Sequence, residues 1–157
     1  MIAWPRDRDA LRALVREALR AGTAAGLAMV PFAALFRFFD LRVNEYGRKT
    51  LQLLVGDVAP LPGFALTLAQ HLVISWVAAV PLLLLLAGVS GRGARLSAGA
   101  VYGAGFYVAV NSLALPIAFG DPTPWQLGFA TVAPSLVVHV VYGLVVAITA
   151  RLAHPGA

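Results

Sequence analysis

Apolar residues in this chain come in long blocks separated by short polar stretches. Four blocks, residues 22–39, 64–88, 96–119 and 127–150, are each long enough to cross a bilayer core of ~30 Å, which takes ~20 helical residues. Their interiors do not alternate: "VPLLLLLAGV" at 80–89 lacks the apolar–polar period of a barrel strand. Helices are then the way to satisfy every backbone group in lipid. The pattern predicts an all-α membrane protein, a single integral domain over residues 1–157 with four transmembrane helices.

The polar stretches add detail. In "DALRALVREALR" (9–20), Leu11, Leu14, Val15 and Ala18 share one helical face, while Arg12, Arg16 and Arg20 recur every four residues on another. This predicts a short amphipathic basic helix within residues 1–21, lying on the inner membrane surface. The alternative is a solvated extension of the first membrane helix. Because so charged a segment precedes the first block and no small-residue cleavage site follows it, that block does not read as a signal peptide. Residues 40–63 form the one substantial outer loop, with "TLQLLV" (50–55) expected to rest on the outer interface. Phe36, Phe38, Phe39, Phe64, Phe119, Trp125 and Phe129 cluster at the outer ends of the blocks, as an aromatic belt does.

Composition agrees with the pattern. Only 12% of the residues are charged, against about 25% in a soluble domain. The absence of cysteine excludes disulfides, thiolate metal sites and thiol catalysis on this chain. The net charge of +5 comes from arginines at the block ends rather than from one patch, so it speaks for topology and anionic headgroups rather than nucleic acid. Arg6, Arg8, Arg12, Arg16, Arg20, Arg92, Arg95 and Arg151 lie on one side, and Arg37, Arg42, Arg48 and Lys49 on the other. The positive-inside rule then predicts that both termini are cytoplasmic.

Candidate chemistry lies inside the blocks. Thr67, His71 and Ser75 repeat every four residues; Thr131, Ser135, His139 and Tyr142 form a second stripe, and Tyr107 with Asn111 a third. Polar side chains are costly in lipid and normally face the bundle interior, so three inward stripes predict one buried polar seam. The seam is expected either to fasten helices by hydrogen bonds or to relay protons or a solute through histidine. "GTAAG" (Gly22, Gly26) and "GAVYG" (Gly99, Gly103) are GxxxG pairs, which let backbones approach closely. Pro31, Pro81, Pro116 and Pro134 place one proline, and so one potential kink, in each span. A bis-histidine haem is disfavoured by depth. At 1.5 Å per residue, His71 lies ~10 Å, Asn111 ~12 Å and His139 ~18 Å below the outer helix ends, whereas two ligands of one iron sit within ~4 Å. No metal or other cofactor is expected. The seven acids are expected in termini and loops, and no Ser-His-Asp set, carboxylate pair or phosphate loop can be assembled. The chain does not read as an enzyme.

His71 and Ser75, Gly99 with Gly103, Pro116, Pro124 with Trp125, and His139 together resemble the YagU-type bacterial inner-membrane proteins over about residues 64–150. The resemblance implies a bacterial inner-membrane location and no established activity. It departs at Asn111, where the family carries a histidine, and at Ser135, where it carries a glutamate. Three functions follow as expectations. The first is a non-enzymatic structural or accessory component, acting as a homo-oligomer or beside a larger membrane complex. The second is a small transporter or channel component with a His/Ser/Asn path, and the third a haem- or quinone-binding redox subunit completed by a partner.

Overall fold

The computed structural model describes residues 8–41, 43 and 46–151. These form helices α1 (Arg8–Phe38), α2 (Tyr46–Val55), α3 (Pro60–Ala87), α4 (Arg92–Phe106), α5 (Leu115–Phe119), α6 (Pro124–Leu127) and α7 (Phe129–Thr149), with a π-helical segment, Tyr107–Ala114, joining α4 to α5. Among the described residues there is no strand. Four helical stretches are long and apolar enough to cross a membrane: Arg8–Phe38, Pro60–Ala87, Arg92–Phe119 and Phe129–Thr149. Each of the four predicted blocks falls on one of them.

The N-terminal segment departs from expectation. Among the described residues no separate surface helix precedes the first span; α1 runs unbroken through 31 residues, ~46 Å at 1.5 Å per residue. Nothing between Arg20 and Thr23 interrupts it, because Gly22 costs only about 1 kcal/mol relative to alanine inside a helix. Leu14, Glu17, Ala18 and Ala21 are buried, while residues 8–13, Val15, Arg16 and Leu19 are exposed, so residues 8–21 extend the first span with one stripe packed and the rest of the surface open. Arg6 and Arg42 lie outside the described residues.

Helix starts follow local chemistry. Pro60 opens α3 at its first position, where the missing N–H has no partner to lose. Thr123 and Gln126 form a capping box around α6, again with a proline, Pro124, at its start. Pro31, Pro81 and Pro134 lie inside helices that continue past them.

α1 begins and α7 ends at the same end of the bundle, termed the terminal end; α2 and α6 mark the opposite, loop end. The core sits towards the terminal end, where Ala21, Ala25, Ala79, Leu82, Leu83, Leu86 and Val146 are almost wholly buried. Small residues from α1 and long ones from α3 fill this space together. Towards the loop end, α1 has no buried residue beyond Gly26, and α3 has none before Ser75. Leu27, Val30, Leu35, Leu66 and Val73 are exposed there, as lipid-facing positions are in a membrane protein. At the loop end itself, Lys49 on α2 pairs with Asp121 at 2.5 Å, and the Tyr46 and Phe119 rings meet at 5.6 Å. Burial first, then the Asp121 carboxylate, pushes the Tyr46 hydroxyl above its ordinary pKa. "TLQLLV" forms the second half of α2, and Leu53 and Leu54 point away from the bundle, 75% exposed.

Candidate functional site

His139 lies on α7 between two hydrogen-bonding neighbours. Its Nδ1 is 2.6 Å from the Ser135 carbonyl one turn earlier. A carbonyl only accepts, so Nδ1 carries the proton. Nε2 is then an acceptor, and the Asn111 amide donates to it at 2.8 Å. Phe106 stacks on the imidazole with centroids 6.0 Å apart, and the Tyr107 ring lies 5.6 Å away.

Asn111 and Tyr107 both belong to the π-helical segment. Its wider turn closes with the Leu115 N–H bonded to the Val110 carbonyl, five residues back. Pro116 follows at once. In an uninterrupted α-helix its ring would meet the carbonyl four residues earlier; the π turn is where the span absorbs this proline. Pro116 and Pro134 are buried, whereas Pro31 and Pro81 are exposed. Within the same segment, Tyr107 Oη and Ser112 Oγ are fully buried and have no hydrogen-bond partner.

His71 engages a different helix. Its Nε2 is 3.1 Å from the Gly26 carbonyl on α1, so in this ring the proton is on Nε2. The two histidines therefore hold opposite tautomers, each set by a backbone carbonyl. Ser75 donates back to the His71 carbonyl at 2.8 Å, and its own carbonyl accepts from Tyr142 on α7 at 2.5 Å. Thr67 bonds back to Gly63 at 2.8 Å, and Thr131 makes no side-chain hydrogen bond among the described residues. The expected single seam is thus two contacts, His71 with α1 and His139 with the π segment, linked by Tyr142.

Both GxxxG pairs are spent inside the chain. Gly22 and Gly26 pack on Ser75 and Trp76 of α3; a Cβ on Gly26 would lie 2.7 Å from Ser75 Oγ. Gly99 and Gly103 lie against Gly143 and the His139 carbonyl of α7, where any Cβ would overlap backbone. The GxxxG faces are therefore not available to a second subunit.

Several contacts escaped sequence reasoning. Gly143 completes the α4–α7 approach and was visible only as the glycine one turn after His139. Trp76 Nε1 donates to Thr23 at 2.8 Å, and Tyr102 to the Ala78 carbonyl at 2.6 Å. Glu17 corrects the expectation that every acid lies in a loop or terminus: it sits on α1, 8% exposed. Its carboxylate takes Arg20 through both oxygens and accepts the Arg151 N–H at 2.6 Å. Arg20 also donates to the Thr149 carbonyl, so it leaves the face expected to hold it with Arg12 and Arg16. At 100° per residue, positions 12 and 20 differ by ~80°. Arg12 pairs with exposed Asp9, at 3.4 Å. Arg95 caps two helix ends, donating to Leu86 at 3.2 Å and Ala150 at 3.3 Å; cations there also offset the helix dipole.

Among the described residues, no group of three or more histidines or carboxylates could hold a metal. Compared with models of known protein families, with curated proteins and with solved structures, the chain matches none.

Proposed function

We propose that this chain is a non-enzymatic multi-pass membrane protein that serves as a structural or accessory component, alone as a homo-oligomer or beside a larger complex. The observation that carries this reading is that five intramembrane polar side chains are spent on neighbouring helices: His71 on Gly26, Tyr142 on Ser75, Tyr102 on Ala78, Trp76 on Thr23 and His139 on Asn111. Such bonds fasten helices and leave few groups to bind or transform a solute. With both GxxxG pairs used internally, a partner would meet exposed apolar faces such as the loop-end faces of α1 and α3. The arginine bias and the YagU-type resemblance support a bacterial inner-membrane location with cytoplasmic termini.

Proteoliposomes provide the test. Protein-containing and empty vesicles should show the same proton flux, while His139→Ala should lower the melting temperature of the protein in detergent. Proton flux well above the empty vesicles and lost in His139→Ala would overturn this reading.

One arrangement favours the second reading, a small transporter or channel component. The π-helical turn, the unpartnered Tyr107 and Ser112 hydroxyls and the Asn111–His139 pair lie within one stretch of the third span and the helix it faces. π turns recur at functional sites, and buried orphan hydroxyls are sites where water or a solute hydrogen-bonds. The haem- or quinone-binding reading gains nothing from these contacts, because both ring nitrogens of His139 are engaged.

A further inference from the structure

Outside the intramembrane contacts, a cavity of about 400 Å³ opens at the terminal end, between the start of α4 and the end of α7. Arg92 and Arg95 line it together with Gly91, Leu96, Ile148 and Ala150. The two arginines differ in what holds them. Arg95 is anchored by the Leu86 and Ala150 carbonyls, which use two of the five N–H donors a guanidinium carries. Arg92 is exposed and makes no hydrogen bond or ion pair within the described chain. Among the described residues, no acidic side chain lines the cavity. A fixed cation and an unpartnered one therefore face the same space.

The remaining walls are apolar. Leu96 is half-buried, and Ile148, 63% exposed, continues from the cavity onto the outer face of α7. Gly91 precedes α4 with no side-chain acceptor on the helix start, which adds a weak preference for negative charge. The cavity thus offers a guanidinium pair at the bundle end and a hydrocarbon surface leading up the span. That combination matches one phosphate group attached to acyl chains, since basic pockets between membrane helices hold anionic headgroups and guanidinium matches phosphate geometry.

We infer that this cavity binds the phosphate of an anionic phospholipid, with Arg92 and Arg95 as its ligands and Leu96 and Ile148 beside the proximal acyl carbons. The site is independent of whether the His139 contacts fasten helices or pass a solute. It also separates the arginines by role. Arg20 closes a joint within the protein, Arg95 joins the fold to the ligand, and Arg92 serves the ligand alone.

Native mass spectrometry of detergent-purified, delipidated protein tests this, with phosphatidylglycerol, phosphatidylcholine and inorganic phosphate as probes. Phosphatidylglycerol should be retained as one adduct in preference to phosphatidylcholine. Arg92→Gln should weaken that retention roughly tenfold, as loss of a charge-assisted hydrogen bond does, and Arg92→Lys should largely keep it. The melting temperature of Arg92→Gln should equal the parent's, because the side chain bonds nothing in the fold. Ile148→Glu, at an exposed position, gives the same readout by repulsion if Arg92→Gln does not fold. Equal retention of the two lipids, or retention indifferent to both substitutions, would overturn the proposal. Displacement of the lipid by inorganic phosphate alone would overturn the lipid assignment in favour of a soluble phosphate ligand.

Discussion

The Asn111 amide nitrogen lies 2.8 Å from Nε2 of His139, while the opposite nitrogen of that ring faces the Ser135 carbonyl at 2.6 Å. The imidazole is thereby held as a neutral Nδ1–H ring, donating along its own helix and accepting across to the π segment. A proton added at Nε2 would set two donors against each other, so charging this ring requires the Asn111 amide to turn over or withdraw.

This fixes an observable. Nitrogen chemical shifts of labelled histidine should show His139 protonated at Nδ1 and His71 at Nε2. Asn111→Leu should cost about 1 kcal/mol of stability, the scale of an interhelical hydrogen bond in membranes, and should release the His139 tautomer. An Nε2–H signal for His139 in the parent protein would contradict the arrangement.

The glycine contacts predict a sharp contrast within one helix. Gly103→Ala and Gly143→Ala must push α4 and α7 apart, because each new Cβ would overlap facing backbone; overpacking of this kind costs about 1–3 kcal/mol. Gly105→Ala meets nothing within 4 Å and should be neutral or stabilising by up to about 1 kcal/mol through helix propensity. Unfolding in graded denaturant would rank the three, and a Gly103→Ala as stable as Gly105→Ala would refute the close approach.

Glu17 joins the start of α1 to the end of α7. Glu17→Gln keeps the shape but removes the charge that binds Arg20 and the Arg151 N–H, and hydrogen bonds to charged groups contribute about 1.5–3 kcal/mol each way they are made or lost. The loss should appear as earlier melting together with faster amide exchange around Ala150 and Arg151. Unchanged exchange there would mean that the joint carries no load.

Topology can be read directly, because the chain has no cysteine. With both termini cytoplasmic, a cysteine placed at Asp57 should react with an impermeant maleimide in intact cells, and one placed at Arg92 should react only after lysis. The reverse labelling would invert the proposed orientation.

The four spans were legible because the length of an apolar run is a local property, set by bilayer thickness and helix rise. The stripes containing His71 with Ser75 and Ser135 with His139 were legible for the same reason, since residues four apart share a helix face. Their partners were not. Whether His71 would meet Gly26 or another helix depends on which faces pack, and that is decided by shape. Glycines at 22, 26, 99, 103 and 143 let α1 meet α3 and α4 meet α7 at backbone contact, and those two approaches divide the expected seam.

The continuous α1 and the buried Glu17 lie beyond periodicity too, because a basic amphipathic segment has the same pattern on a membrane surface as against a bundle. The π turn depends on how one span accommodates Pro116 while it packs on α7. By itself the sequence determined the class of protein, the number of apolar spans and the helix faces that carry polar side chains, all consequences of local hydropathy and helix period. Only the tertiary structure decided which groups bond across helices, because those pairings follow from the joint packing of surfaces far apart in the chain.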